Sequence, residues 1–106
     1  MFIINCKNYD EISGDKIIKL AKISQKISKK YKIPIAIAPP HHLIPLIVKF
    51  NVIVLAQHLD DKKIGSTTGF MIPEIVKKSK INGSLINHSE HRIPEKEIKN
   101  LIKRLK

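Results

Sequence analysis

Three polar clusters each follow a short apolar run directly: Asn5 and Lys7 after Phe2-Ile3-Ile4, Gln57 and His58 after Val52-Ile53-Val54-Leu55-Ala56, and Asn87 and His88 after Ser84-Leu85-Ile86. The residue types define a chemistry. A lysine supplies a cation and suits an anionic ligand. A neutral imidazole polarises a carbonyl or shuttles a proton. If the apolar runs are parallel strands, the clusters share one rim, because ligands in such sheets bind at the carboxyl ends of the strands. The site expected on these grounds is Lys7, Gln57 and His88, with Asn5 nearby.

The other reactive residue types carry blander expectations. His41 and His42 are adjacent, so on a helix they do not face one site, and they are read as exposed rather than as metal ligands. His58 is assigned to the structure of the loop that follows it, and His91 to solvent. Cys6 is read as a small buried residue beside the site rather than a nucleophile. As the only cysteine, it excludes a disulfide within the chain and any multi-cysteine zinc site. Gly65 to Gly69 lacks the glycine-plus-lysine pattern of a phosphate loop.

The elements that must hold these residues alternate four times. Residues 2–4, 33–38, 52–56 and 84–86 are apolar without clean alternation, as in parallel strands covered on both faces. A helix is expected over 13–31, with Ile17, Leu20, Ala21, Ser24, Ile27 and Tyr31 on one stripe. A short helix over about 41–50 must keep Pro45 in its first turns. Pro73 suits the first position of a third helix, with Glu74 in its first turn. Pro94 opens a fourth, whose buried stripe is Ile98, Leu101, Ile102 and Leu105. Residues 60–70 form a polar loop. Strand and helix in strict repetition imply right-handed crossovers and one parallel sheet of four βα units.

With 106 residues the chain is one domain at most. Apolar residues are 42% and charged residues 27%, which argues against wholesale disorder. No apolar run is long enough to span a membrane, and the N-terminus lacks a basic leader region, so a cytosolic setting is expected. The net charge is +11. Lys16, Lys19, Lys22, Lys26, Lys29 and Lys30 fall on outward helical positions, and the few aromatics do not interleave with them as base-stacking platforms do. Nucleic-acid binding is therefore kept only as a remote alternative to a solvated lysine face.

At the residues of the expected site, the sequence resembles triosephosphate isomerase of the archaeal type. Asn5-Cys6-Lys7 is similar to that family's opening strand end. Leu55-Ala56-Gln57-His58-Leu59-Asp60 with Gly65-Ser66-Thr67-Thr68-Gly69 is similar to its third strand and third loop. Asn87-His88-Ser89-Glu90-His91-Arg92 is similar to its histidine loop. The resemblance covers nearly the whole chain, as the first half of that enzyme. It implies an α/β fold in which four βα units over residues 1–106 form a single incomplete domain, half of a (β/α)8 TIM barrel with a parallel sheet. It also implies that His88 is the electrophile and that Lys7 neutralises the substrate's charge. Asn5 would orient the ligand, Glu90 would pair with Lys7, and Ser89 and Arg92 would support them. This family is itself a standard worked example of a histidine held neutral by a helix N-terminus; here a helical turn starting near Ser89 is expected to do this. The loop Gly65, Ser66, Thr67, Thr68, Gly69 would reach into a neighbouring subunit. The implied substrate is a phosphorylated triose, and no metal or cofactor is implied.

The resemblance also demands parts that these 106 residues do not contain: a glutamate base from a sixth strand, a closing loop and phosphate-binding amides from later units. No remaining carboxylate (Glu11, Glu74, Glu95, Glu97, Asp60 or Asp61) sits at a strand end where it could face His88. A half barrel is also expected to leave two sheet edges and an apolar inner face open. The chain by itself is therefore expected to be inactive, and to self-associate, pair with a separate second-half chain or be poorly soluble. The alternative function is a non-catalytic half-barrel interaction module.

Overall fold

The computed structural model describes residues 1–106. Strands β1 (Phe2–Asn5), β2 (Ile35–Ala38), β3 (Ile53–Ala56) and β4 (Gly83–Ser84) alternate with helices α1 (Lys16–Tyr31), α2 (Ile44–Ile47), α3 (Pro73–Val76) and α4 (Glu95–Leu105). All neighbouring strands are parallel, and their spatial order follows the chain, β1-β2-β3-β4. This is the arrangement of half a (β/α)8 ring. No helix is long and apolar enough to cross a membrane.

The helices cover one face of the sheet. Ile35, Ile37, Val54 and Ala56 join Ile17 and Ala21 of α1, Ile44 and Ile47 of α2, Val76 of α3 and Leu101 of α4 in one buried cluster. Alternate strand residues point the other way. On that inner face Ala36 and Ala38 are fully buried, Ile53 and Leu55 are half-buried and Ile3 is 51% exposed. The expected open apolar face is thus closed at its centre, where β2 carries only alanines, and open at the β1 edge.

Two predicted stripes are narrower than expected. Ile27 and Tyr31 are exposed although they continue the spacing of Ile17, Ala21 and Ser24. The reason is length. Sixteen helical residues run about 24 Å, while a four-residue strand runs about 13 Å. The last turns of α1 therefore overhang the sheet. Ile102 is likewise exposed, while Leu101 is fully buried in the main cluster.

β4 also differs from expectation, since regular pairing covers Gly83–Ser84 rather than residues 84–86. Its partners extend it irregularly. Asn82 Oδ1 accepts the Val54 N–H at 2.8 Å, and the Leu85 N–H donates to the Ala56 carbonyl at 2.8 Å. A Cβ on Gly83 would lie 3.2 Å from Leu55 Cδ2, so this seam is tight.

The molecule is more open than its size predicts. Its accessible surface is 7228 Å², against about 6,000 Å² for a compact monomer of its mass. Its radius of gyration is 14.1 Å, against about 13 Å for a closed globule of this length.

Candidate active site

Parallel pairing brings the four carboxyl strand ends to one rim. Beyond β1 the chain turns through Lys7, a non-glycine residue at φ 51°. The left-handed region costs an L-residue about 1–2 kcal/mol, and two side chains hold it. Asn5 Oδ1 accepts the Lys7 N–H at 3.0 Å, and Gln57 Nε2 donates to the Lys7 carbonyl at 2.8 Å. The result is an ammonium standing at the rim, 3.1 Å from Glu90 Oε1. The hydrogen bond to that carboxylate, with its charge, raises the lysine pKa above its ordinary value.

The other half of the site comes from the chain after β4. Asn87 adopts φ 58°. Its side-chain oxygen accepts the Ile93 N–H at 3.1 Å, and its carbonyl accepts from Arg92 Nη1 at 3.3 Å. Residues 87–93 are thereby tied into a compact loop. His88 Nδ1 accepts the Glu90 N–H at 3.1 Å, which assigns the ring proton to Nε2. The turn expected near Ser89 is a single one over residues 88–91, closed by the His91 N–H on the His88 carbonyl at 2.8 Å. It does not continue into a helix, and the group that orients the imidazole is one backbone amide. Glu90 spans the gap between strand ends, with its other oxygen 3.6 Å from His88 Nδ1.

Asn5, Lys7, Gln57, His88 and Glu90 all line one cavity of about 830 Å³, with Tyr9, His41, His58 and Asp60 among its other walls. Ser89 is exposed beside it. Gln57, expected as a site member, is used as a fastener: its amide nitrogen also donates to the Ala38 carbonyl at 3.0 Å, so it joins the ends of β1, β2 and β3. The cavity is polar, holds a cation and an imidazole N–H, and suits a small anionic carbonyl compound.

Three features escaped the sequence. His41 is not exposed. It is half-buried, and its Nε2 accepts the backbone N–H groups of Gln57 at 3.1 Å and His58 at 3.2 Å. Burial, with His58 nearby, pushes its pKa below the ordinary imidazole value. His91 is exposed but stacks on His58, with ring centroids 3.5 Å apart. Arg104 grips Glu74 through Nε at 2.8 Å and Nη2 at 2.6 Å, and Asp61 through Nη1 at 2.8 Å. The only sequence signal for that network was a pairing of charges distant along the chain, which spacing cannot rank.

The remaining groups are engaged. His58 Nε2 donates to Asp60 Oδ1 at 2.9 Å, and Asp60 Oδ2 accepts the Met71 N–H at 2.7 Å. Burial raises the Asp60 pKa, but the Met71 and His58 bonds outweigh it and the net shift is downward. These contacts close the base of the loop whose tip is Gly65, Ser66, Thr67, Thr68 and Gly69. All of the tip is exposed except half-buried Thr67. Cys6 is 4% exposed, and burial pushes its thiol up to about 11. Both carboxylates lining the cavity, Asp60 and Glu90, already have partners. No three His, Cys, Asp or Glu side chains converge to hold a metal ion.

A model of the triosephosphate isomerase family matches residues 1–105. The triosephosphate isomerase of Cenarchaeum symbiosum is 46% identical over 106 residues, covering 100% of this chain and 48% of the relative. That of Saccharolobus solfataricus is 38% identical over 107 residues, covering 100% and 47%. That of Methanothermus fervidus is 35% identical over 106 residues, covering 99% and 48%. The chain spans about half the length of the curated relatives it matches.

Proposed function

We propose a function from one premise: the chain belongs to the triosephosphate isomerase family. Its four βα units are the half-ring that carries the cation and the electrophile, and the completed ring interconverts dihydroxyacetone phosphate and glyceraldehyde 3-phosphate. The observation that carries this reading is the meeting of Lys7 and His88, from the first and fourth strand ends, on one cavity with Glu90 between them.

The geometry fits the chemistry step by step. His88 Nε2–H donates to the carbonyl and hydroxyl oxygens as an enediolate forms, and the Glu90 N–H on Nδ1 keeps that tautomer in place. Lys7 balances the phosphate and the developing oxyanion. Asn5 orients the ligand beside it, while Glu90, Ser89 and Arg92 support the loop. The reaction moves a proton between carbons without change of redox state, so the reading assigns no metal or cofactor. The proton itself needs a free carboxylate base. The carboxylates lining the cavity are engaged, so the base comes from the complementary half of the ring. That half, and a second subunit met by the loop Gly65–Gly69, are the partners this reading assigns, in a cytosolic setting.

A coupled isomerase assay tests it. The 106 residues alone are expected to give no turnover. The same residues completed by the other four βα units are expected to turn over the triose phosphate, with His88→Ala abolishing it. A folded, completed ring without turnover would overturn the reading. The two open sheet edges favour one second reading, a module that assembles without catalysing. It predicts assembly with no dependence of any activity on His88.

A further inference from the structure

A cross-sheet linkage runs beneath the rim. His41, in the 3-10 turn His41–Leu43 after β2, accepts two successive backbone N–H groups at one nitrogen, those of Gln57 and His58. Gln57 in turn donates to the carbonyl of Lys7, whose left-handed backbone needs that support. Lys7 then meets Glu90, and the Glu90 N–H fixes His88. An imidazole nitrogen can accept these N–H groups only while it carries no proton.

We propose that His41 is a positioning residue: its unprotonated Nε2 holds the end of β3, and through Gln57 sets the placement of Lys7, so that assembly of the rim depends on the protonation of His41. The inference rests on the isomerase reading only for its kinetic consequence. The structural consequence stands without it.

The surroundings work in one direction. His42 is its neighbour in the chain, His58 carries one of the two N–H groups, and His91 stacks on the His58 ring. All three oppose a charge on His41, whereas Asp60 favours one. Lys7, Tyr9, His88 and Glu90 share the same cavity wall. Burial is the largest influence and disfavours the imidazolium. In the unfolded chain His41 takes a proton as pH falls below about 6.5, while in the folded chain it resists. Its contribution to stability is therefore complete above that pH and is lost as pH falls through the lowered folded value. Protonation then turns an acceptor into a third donor facing two donors.

The test uses the chain within its completed ring and two substitutions. His41→Gln keeps an acceptor that does not titrate, and His41→Leu removes the acceptor. In nitrogen–proton spectra of the wild type, the His41 ring nitrogens and the Gln57, His58 and Lys7 amides are expected to titrate on one curve. H41Q is expected to abolish that curve while leaving the amides near their high-pH positions. In turnover, the wild type is expected to lose kcat/KM on the acid side along the same curve. H41L is expected to lower kcat/KM about tenfold on the neutral side, as one net hydrogen bond implies, with its difference from the wild type closing as His41 takes its proton, and H41Q to restore most of the neutral-side value without that acid limb. Amides at 57, 58 and 7 that ignore the His41 titration, or an H41L variant with unshifted Lys7, would overturn the proposal. Absence of isomerase activity with the coupled titration intact would overturn the functional reading and leave the positioning role standing.

Discussion

Lys7 is paired with the Glu90 carboxylate, and substitutions at Lys7, His88 and Glu90 have separate expected outcomes. In the completed ring, Lys7→Met is expected to lower kcat/KM at least about a hundredfold, the scale of losing one charge-stabilising group. His88→Gln is expected to lower kcat by about 10²–10⁴, the scale of a positioned acid–base group. Both are read in the coupled assay with folding checked by circular dichroism. Glu90→Gln acts on the lysine rather than on the chemistry. The raised Lys7 pKa means that the pair's contribution is complete below the unfolded lysine value and lost as pH rises through the higher folded one. E90Q is therefore expected to shift the Lys7 titration downward, as followed by side-chain NMR, and no shift would remove the pairing from the account. Lys7 and His88 were legible because each follows an apolar run that had to be a strand, and a parallel sheet leaves strand ends little freedom. His41 was not legible. Its role depends on two N–H groups of another strand arriving within 3.2 Å, which no local spacing encodes.

Between elements, the joint that carries the most polar contact is Arg104 of α4 on Glu74 of α3 and on Asp61 at the root of the long loop. Arg104→Met is expected to destabilise the fold by about 1–2 kcal/mol, the lower part of the range for charge-assisted bonds because Glu74 is 43% exposed. Urea unfolding measures this, and an unchanged midpoint would show the network to be ornamental. The acid side is specific. Arg104 is the largest influence holding the Glu74 carboxyl down to about 2. A depressed carboxylate contributes stability above its unfolded value and loses it as pH falls toward the folded one. The R104M chain should therefore show a weaker loss of stability between about pH 4 and 2 than the parent. The elements themselves were legible in order and type, because apolar runs and prolines mark where chain direction must change. Their ends were less so. β4 starts one residue earlier and ends two residues earlier than expected, with Asn82 supplying a side-chain acceptor to Val54 just before it, and α1 outruns its strand because helical rise and strand rise differ.

As a whole molecule the chain is a four-stranded wall whose helical side is packed and whose two edges, β1 and β4, are open. Phe2 and Cys6 donate their N–H groups toward the neighbouring strand, to the carbonyls of Pro34, just before β2, and of Ala38 at its end. Ile3 and Asn5 therefore turn theirs to the free edge. Those two amides are expected to exchange fast in the isolated chain and at least about a hundredfold slower once the ring is completed. Equal rates in both states would mean that the edge is not where the ring closes. Fold class was the most legible property of all, since four strict alternations of strand and helix allow few other arrangements. The extent of open surface was less so, because the full burial of Ala36 and Ala38 depends on neighbours from other elements that no local spacing encodes. One consequence follows for the buried sulfur between Asn5 and Lys7. Cys6 is the single thiol of the chain, and it sits behind the seam that must part if β1 lifts from its neighbour. With Cys6 only 4% exposed, lifting of β1 is expected to bare it further, so the rate at which a colorimetric thiol reagent labels it is a stopwatch for the first strand's departure, needing no mutation.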